Sequence, residues 1–268
     1  QNAWNAQWSH NRYRIYYPKT MGDAVWSMYD YNRGCCDNIC YSGVADIFRL
    51  PKFSLSFFRT QIAEGSMLPS GKMPYEVFIP AYRDEILSDT VMVYGNVDEV
   101  ELVLNGKTIR RQTADKGPDS DYIPVPNGGN GKNLHFPPFT FYGVSKERGV
   151  LKAVGYHQGK KVAEYTVKTP GVPERLDITY FESGKPATKN DLLIVYVRML
   201  DKQGVLCPVN GIPVELSVQG GEIVGPTSYP LEAGVASFLV RTGEISKINI
   251  NATGKGFSTR KSLKVGKE

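Results

Sequence analysis

The chain has 268 residues, 41% hydrophobic and 22% charged, which excludes a disordered polymer and leaves room for one core or several smaller domains. Its net charge of +5 is scattered, and no basic run exceeds pairs such as Arg110-Arg111 and Lys160-Lys161, so nothing points to a nucleic-acid-binding face. No stretch approaches the ~20 consecutive apolar residues of a membrane-spanning helix.

Sixteen Tyr and eleven Phe beside 27 Gly and 17 Pro lean toward β-structure with many turns. The first 62 residues read differently. In "NAWNAQWSHNRYRIYY", Trp4, Trp8, Asn11 and Ile15 recur near helical spacing and no Pro intervenes before Pro18. The chain starts at Gln1, without an initiator Met and inside this pattern, so it is expected to be a piece of a longer protein. "DAVWSMYDY" (23–31) then reads as a short buried strand leaving into a loop. "VADIFRLPKFSLSFFRTQI" (44–62) looks helical, with Pro51 suited to a first turn and Phe53, Phe57, Phe58 and Ile62 on one side. One strand with two helices cannot cover its own faces, so this segment must end a larger α/β unit or dock onto the rest of the chain.

After a linker from Gly65 to Pro74, the pattern changes to short alternating runs. "TVMVYGNVDEVELVLNGKTIRR" alternates with period two and turns at Asn105-Gly106, and "GVLKAVGYHQGKKVAEYTVKT" predicts a second hairpin about Gln158-Gly159. Between them runs a long Gly/Pro/Asp loop. Its Asp115, Asp119 and Asp121 are carboxylates of the kind that bind calcium, but they lack the spacing and terminal Glu of a regular calcium loop, so a solvated loop is expected and no metal is assigned. "TPGVPERL" (169–176) is a Pro-rich joint, after which strands recur at intervals of about ten residues without helices between them. The reading is two immunoglobulin-like β-sandwiches, residues 73–170 and 171–268, preceded by residues 1–62.

Four cysteines do not make a disulfide framework at this length. Cys35, Cys36 and Cys40 have no second CxxC and no nearby His; free thiols or one loop bridge near Cys40 are expected, not zinc. His10, His135 and His157 stand apart from any nucleophile motif and read as surface or capping residues. Tyr142, Tyr156 and Tyr165 fall on alternating strand positions, a packing pattern.

Three stretches carry a family resemblance that spans essentially the whole chain. "GDAVWSMYDYNRG…SGVADIFRLPKFSLSFFRTQ" resembles the last strand and last helix of the (β/α)8 barrel in family 2 glycoside hydrolases, the β-galactosidase-like enzymes. "VYGNVDEVELVLNGKTI…FPPFTF…GVLKAVGYHQGKKVAEYTVKTPG" resembles the sandwich after that barrel, and "LDKQGVLCPVNGIPVELSVQGGEIVG" the further C-terminal sandwich of bacterial members. The resemblance implies hydrolysis of β-linked glycosides by a glutamate pair, without a cofactor, in a periplasmic or extracellular setting. Residues 1–62 hold no Glu, and their Asp23, Asp30, Asp37 and Asp46 match neither catalytic motif. This chain is therefore expected to be a C-terminal portion that carries no catalytic residue and is inactive alone.

The resemblance also gives "WSMYDYNRG" (26–34) a role. A Trp at the C-terminal end of the eighth barrel strand floors the sugar subsite, so Trp26 is expected to face a pyranose while Asp30, Asn32 and Arg33 hydrogen-bond its hydroxyls. The structural alternative makes Trp26 core and Asp30–Arg33 a loop-closing ion pair. Arg49 and Lys52 then most simply hydrogen-bond the barrel rim. The partner is a β-linked oligosaccharide or glycoside, with neither nucleic acid nor membrane. A non-catalytic carbohydrate-binding or structural sandwich module is the competing reading. The aromatic load of residues 1–62 requires docking on the first sandwich, self-association with another chain, or partial disorder.

Overall fold

In a computed structural model of the chain, the described residues are 2–14, 16, 19, 22–34, 38–81, 89–115, 133–181 and 185–266. The fold is mainly β and divides into two units, Gln1–Thr169 and Pro170–Glu268. The boundary falls in the Pro-rich joint.

The first unit contains α1 (Asn2–Arg14), β1 (Tyr31–Asn32), β2 (Ile39–Cys40), α2 (Phe53–Thr60), β3 (Met67–Leu68) and β4 (Gly71–Lys72). It continues with β5 (Val77–Phe78), β6 (Val91–Gly95), β7 (Glu99–Leu104), β8 (Lys107–Thr113), β9 (Phe139–Phe141), β10 (Val150–His157) and β11 (Lys160–Lys168). Antiparallel sheets of order β11-β10-β7-β8 and β5-β6-β9 share one core that includes Val93, Val100, Leu102, Phe139, Phe141 and Leu151. The alternation seen in the sequence appears directly in β7, where Val100, Leu102 and Leu104 are buried and their neighbours are not. Both expected hairpins form. Asn105 and Gly106 (φ 49° and 80°) and Gln158 and Gly159 (φ 49° and 75°) take the left-handed pair of conformations that a two-residue turn matched to strand twist requires.

The two helices dock on this sandwich. Ala3 and Phe57 share a cluster with Phe78, Tyr94 and Leu134, and the Phe57 and Tyr94 ring centroids lie 5.1 Å apart. Full burial of one such aromatic contributes up to about 3 kcal/mol. The face of α1 turned inward is Ala3, Gln7 and Asn11, four residues apart, and its two amides are satisfied. Gln7 Oε1 accepts from the Tyr94 hydroxyl, and Asn11 Oδ1 accepts from the Asn133 amide at 2.9 Å. Asn96 completes the seam, its Nδ2 donating to the Ile62 and Pro74 carbonyls at 3.0 Å each. Of the three fates open to the aromatic segment, docking on the first sandwich accounts for Phe53, Phe57 and Phe58.

Residues 23–31 differ from the buried strand expected of them. Only Tyr29 makes a ladder contact there, an isolated parallel bridge to Ala45, before β1 begins at Tyr31. Val25 and Trp26 are exposed, Trp26 at 75%. An apolar run becomes a strand only where neighbouring backbone completes its hydrogen bonds, and among the described residues only 42–45 lies alongside. The second helix is also shorter than its pattern. Pro51 and Lys52 precede it, and Asp46 instead folds the approach into a turn, its Oδ1 accepting from the Phe48 and Leu50 amides at 2.8 Å each.

The second unit contains β12 (Arg175–Tyr180), β13 (Leu192–Leu200), β14 (Pro213–Gln219), β15 (Gly221–Ile223), β16 (Ser228–Pro230), β17 (Val235–Thr242), β18 (Lys247–Gly254) and β19 (Phe257–Lys264). Sheets of order β12-β13-β17-β15 and β16-β14-β18-β19 enclose Val195, Val197, Val214, Phe238, Val240, Ile248 and Ile250. The Asp-Lys-Gln-Gly turn after β13 is organised by buried Asp201. Its Oδ1 accepts from the Gln203 and Val205 amides at 2.8 Å each and its Oδ2 from Gly171 at 2.7 Å.

Candidate functional site

Residues 26–34 and 41–52 form the region in which the sequence places the sugar wall. Two stretches of backbone zip together here. The Ser27 carbonyl accepts from Val44 N (3.1 Å), the Met28 carbonyl accepts from Ala45 N (3.0 Å), and Asp30 N donates to the Ala45 carbonyl (3.0 Å). Gly43 sits in the closest part of the zip. A Cβ there would lie 2.3 Å from the Asp30 nitrogen and 2.5 Å from the Ala45 oxygen, so only glycine fits without backbone movement.

Trp26 stands on this base as an exposed ring that is nevertheless held. Its Nε1 donates to the Tyr31 hydroxyl at 2.8 Å, and the two rings meet edge to face with centroids 6.4 Å apart. At 75% exposure the ring lies outside the buried cores of this chain. Tyr41 and Met28 are exposed nearby in sequence, and the Arg49 guanidinium lies 3.8 Å from the centre of the Tyr29 ring.

Asp30 does not stand where a sugar hydroxyl reaches it. Its side chain is 3% exposed, and its Oδ1 accepts from Lys52 Nζ at 2.6 Å and from the Gly43 amide at 2.9 Å. The loop-closing ion pair is therefore Asp30–Lys52, not Asp30–Arg33. Burial explains the need for a partner: a carboxylate taken out of water needs a cation, and Lys52, just before α2, supplies it. Asn32 uses its Oδ1 to accept from Gly34 N at 2.8 Å, leaving its amide group outward, and Arg33 is exposed. Of the four residues singled out from the sequence, Trp26, Asn32 and Arg33 are exposed and Asp30 is buried.

Other candidates resolve as structural. His10 Nδ1 lies 2.7 Å from Asp23 Oδ2 and packs edge-on against Phe57 and Phe58, tying α1 to the segment that leads to Trp26. His157 pairs with Asp98 beside the turn at Gln158. Tyr156 is committed on both sides, its hydroxyl donating to Glu101 Oε2 at 2.6 Å while Arg111 covers its ring at 3.7 Å. Asp115 accepts from the Thr140 amide and hydroxyl, and burial pushes its carboxyl up; Asp119 and Asp121 lie outside the described residues. Cys207 is buried, its thiol donating to the Gly171 carbonyl at 3.7 Å. Cys40 is a free thiol, pulled below the ordinary range chiefly by the Ser42 hydroxyl; Cys35 and Cys36 are not among the described residues. Among the described residues no three His, Cys, Asp or Glu side chains gather as a metal site, and no helix is long and apolar enough to cross a membrane.

A family model described as "Domain of unknown function (DUF4982)" matches residues 88–163. A β-galactosidase of Thermoanaerobacter pseudethanolicus is 32% identical over 241 residues, covering 84% of this chain and 30% of that protein. A β-galactosidase of Rhizobium radiobacter is 30% identical over 129 residues, covering 47% of this chain and 92% of that sequence. Among solved structures, a glycosyl hydrolase family 2 member from Bacteroides cellulosilyticus shares the fold with a TM-score of 0.71 at 19% identity, over 96% of this chain and 36% of that one. The chain thus spans about a third of the length of the Thermoanaerobacter relative.

Proposed function

Because the chain belongs to glycoside hydrolase family 2, we propose that it is the C-terminal part of a retaining, β-galactosidase-like β-glycosidase, supplying one wall of the sugar site and two accessory sandwiches. In this reading residues 1–62 end the (β/α)8 barrel, and residues 73–170 and 171–268 are the sandwiches. Retaining hydrolysis needs two carboxyl groups about 5–5.5 Å apart across the glycosidic bond. Residues 1–62 contain no Glu, so the wall binds and orients while the carboxylate pair comes from elsewhere in the barrel.

The observation that carries the proposal is Trp26, 75% exposed yet fixed through its Nε1 to Tyr31. An anchored, outward indole suits the C–H face of a pyranose, and the open amide of Asn32 and the Arg33 guanidinium suit its hydroxyls. Asp30 acts by holding the wall. A fluorescence titration of the chain with methyl β-galactoside tests this. Trp26 emission is expected to change with sugar in the wild type and not in Trp26→Ala; an equal response in both proteins contradicts it.

The exposed apolar side chains Trp26, Met28 and Tyr41 of residues 1–62 are also expected to drive self-association when nothing covers them. Sedimentation across a concentration series checks this, and a strictly monomeric profile at every concentration contradicts it. Periplasmic or extracellular placement belongs to the same reading and is tested by fractionating cells that make the full-length protein; recovery only with the cytoplasm contradicts it.

A further inference from the structure

We infer that Lys52 and Asp30 are a positioning pair that fixes Trp26 against the first sandwich, an inference whose purpose, though not its geometry, rests on the sugar-wall reading. Lys52 Nζ donates to Asp30 Oδ1 at 2.6 Å and to the Tyr41 carbonyl at 3.0 Å, so one ammonium joins the two residues that flank the β1–β2 hairpin. Its backbone amide donates to the Val44 carbonyl at 2.9 Å, tying the start of α2 to the zip as well. Tyr31, which holds the Trp26 indole, directly follows Asp30, so a displacement of Asp30 passes to Trp26 through one peptide and one hydrogen bond.

The other end of the path is rigid. Residue 53 begins α2, whose Phe57 is fully buried against Tyr94 and whose Arg59 pairs with Glu76. The position of the indole is therefore referenced through Lys52 and one short helix to the core of the first sandwich. An ion pair with its carboxylate buried, Asp30 at 3% and Lys52 at 22% exposure, is a poor device for stability alone, since an apolar pair of equal volume avoids the desolvation cost. What the pair adds is direction: one ammonium with two acceptors holds Asp30 and Tyr41 at set places beside Lys52.

The test uses fluorine NMR of the chain labelled with fluorotryptophan, with the Trp26 resonance assigned by its loss in Trp26→Phe. Lys52→Met is expected to shift and broaden the Trp26 resonance while Trp4 and Trp8, on α1, report an intact fold. Lys52→Arg, which keeps the charge, is expected to return the signal toward its wild-type position. An unmoved Trp26 resonance in Lys52→Met overturns the inference. So does a common shift of all three tryptophans, which makes the pair a general stabiliser. Titration of the wild type with methyl β-galactoside separates the two claims: a Trp26 resonance indifferent to sugar defeats the sugar-wall reading and leaves the Lys52→Met result to decide the positioning role.

Discussion

Arg59, in the last turn of α2, forms a two-point ion pair with Glu76, its Nε donating to Oε2 at 3.1 Å and its Nη2 to Oε1. The pair joins the helix of the candidate wall to the chain entering the first sandwich. Both side chains keep water contact, 41% and 27% exposed, so solvent screens the attraction. The forked geometry raises it toward the upper end for such pairs, about 0.5–1 kcal/mol.

Glu76→Gln is therefore expected to lower the Tm of the chain slightly at low salt, with the difference shrinking as salt is added. Thermal unfolding of both proteins in a salt series measures it. Equal Tm values at low salt contradict the assignment.

Gly43→Ala is expected to cost more, on the order of 1–3 kcal/mol, because the new methyl group meets backbone atoms of Tyr29, Asp30 and Ala45 that have little room to yield. Denaturant unfolding gives the change in stability. A variant as stable as the wild type means that the zip between residues 27–30 and 42–45 is looser than its distances imply.

Much of this fold is legible in the sequence where the signal is local. Asn-Gly and Gln-Gly report on their own backbone, so the hairpin turns can be read directly. Aromatic spacing marks the helices α1 and α2, while the aromatic load of residues 1–62 leaves docking as one of three outcomes beside self-association and partial disorder. Asp30 is legible as a polar residue but not as a buried one. Nothing in "YDYNRG" reveals Lys52, 22 positions away, as its partner, and the tie from His10 to Asp23 is hidden for the same reason. The strand expected at 23–31 fails differently: an apolar run records the conformations open to a segment, while its ladder depends on neighbours far along the chain or outside it. Gly43 carries no signal, since its φ is ordinary and its need for a bare Cα arises only from the zip.

In the second unit, Asp201 sets a pH dependence. Its carboxyl is held below the ordinary range, first by the Gly171 amide and then by those of Val205, Gln203 and Gly204, against the opposing effect of burial. A depressed carboxylate contributes stability that is fully present above its unfolded pKa and is lost as pH falls through its folded one. Asp201→Asn is expected to be less stable than the wild type near neutrality, with the two Tm curves converging as the pH drops below the ordinary carboxylate range. A gap that stays constant down to acid pH contradicts this.

In the function proposed above, the chain carries a sugar-binding wall without the carboxylate pair that cleaves the bond. Release of nitrophenol from a panel of nitrophenyl β-glycosides by the purified chain puts this to the test. The predicted result is no turnover above the buffer blank, with β-galactoside still perturbing Trp26 in the same preparation. Turnover that survives repurification would show that the chain holds its own catalytic groups, and the proposal would fall.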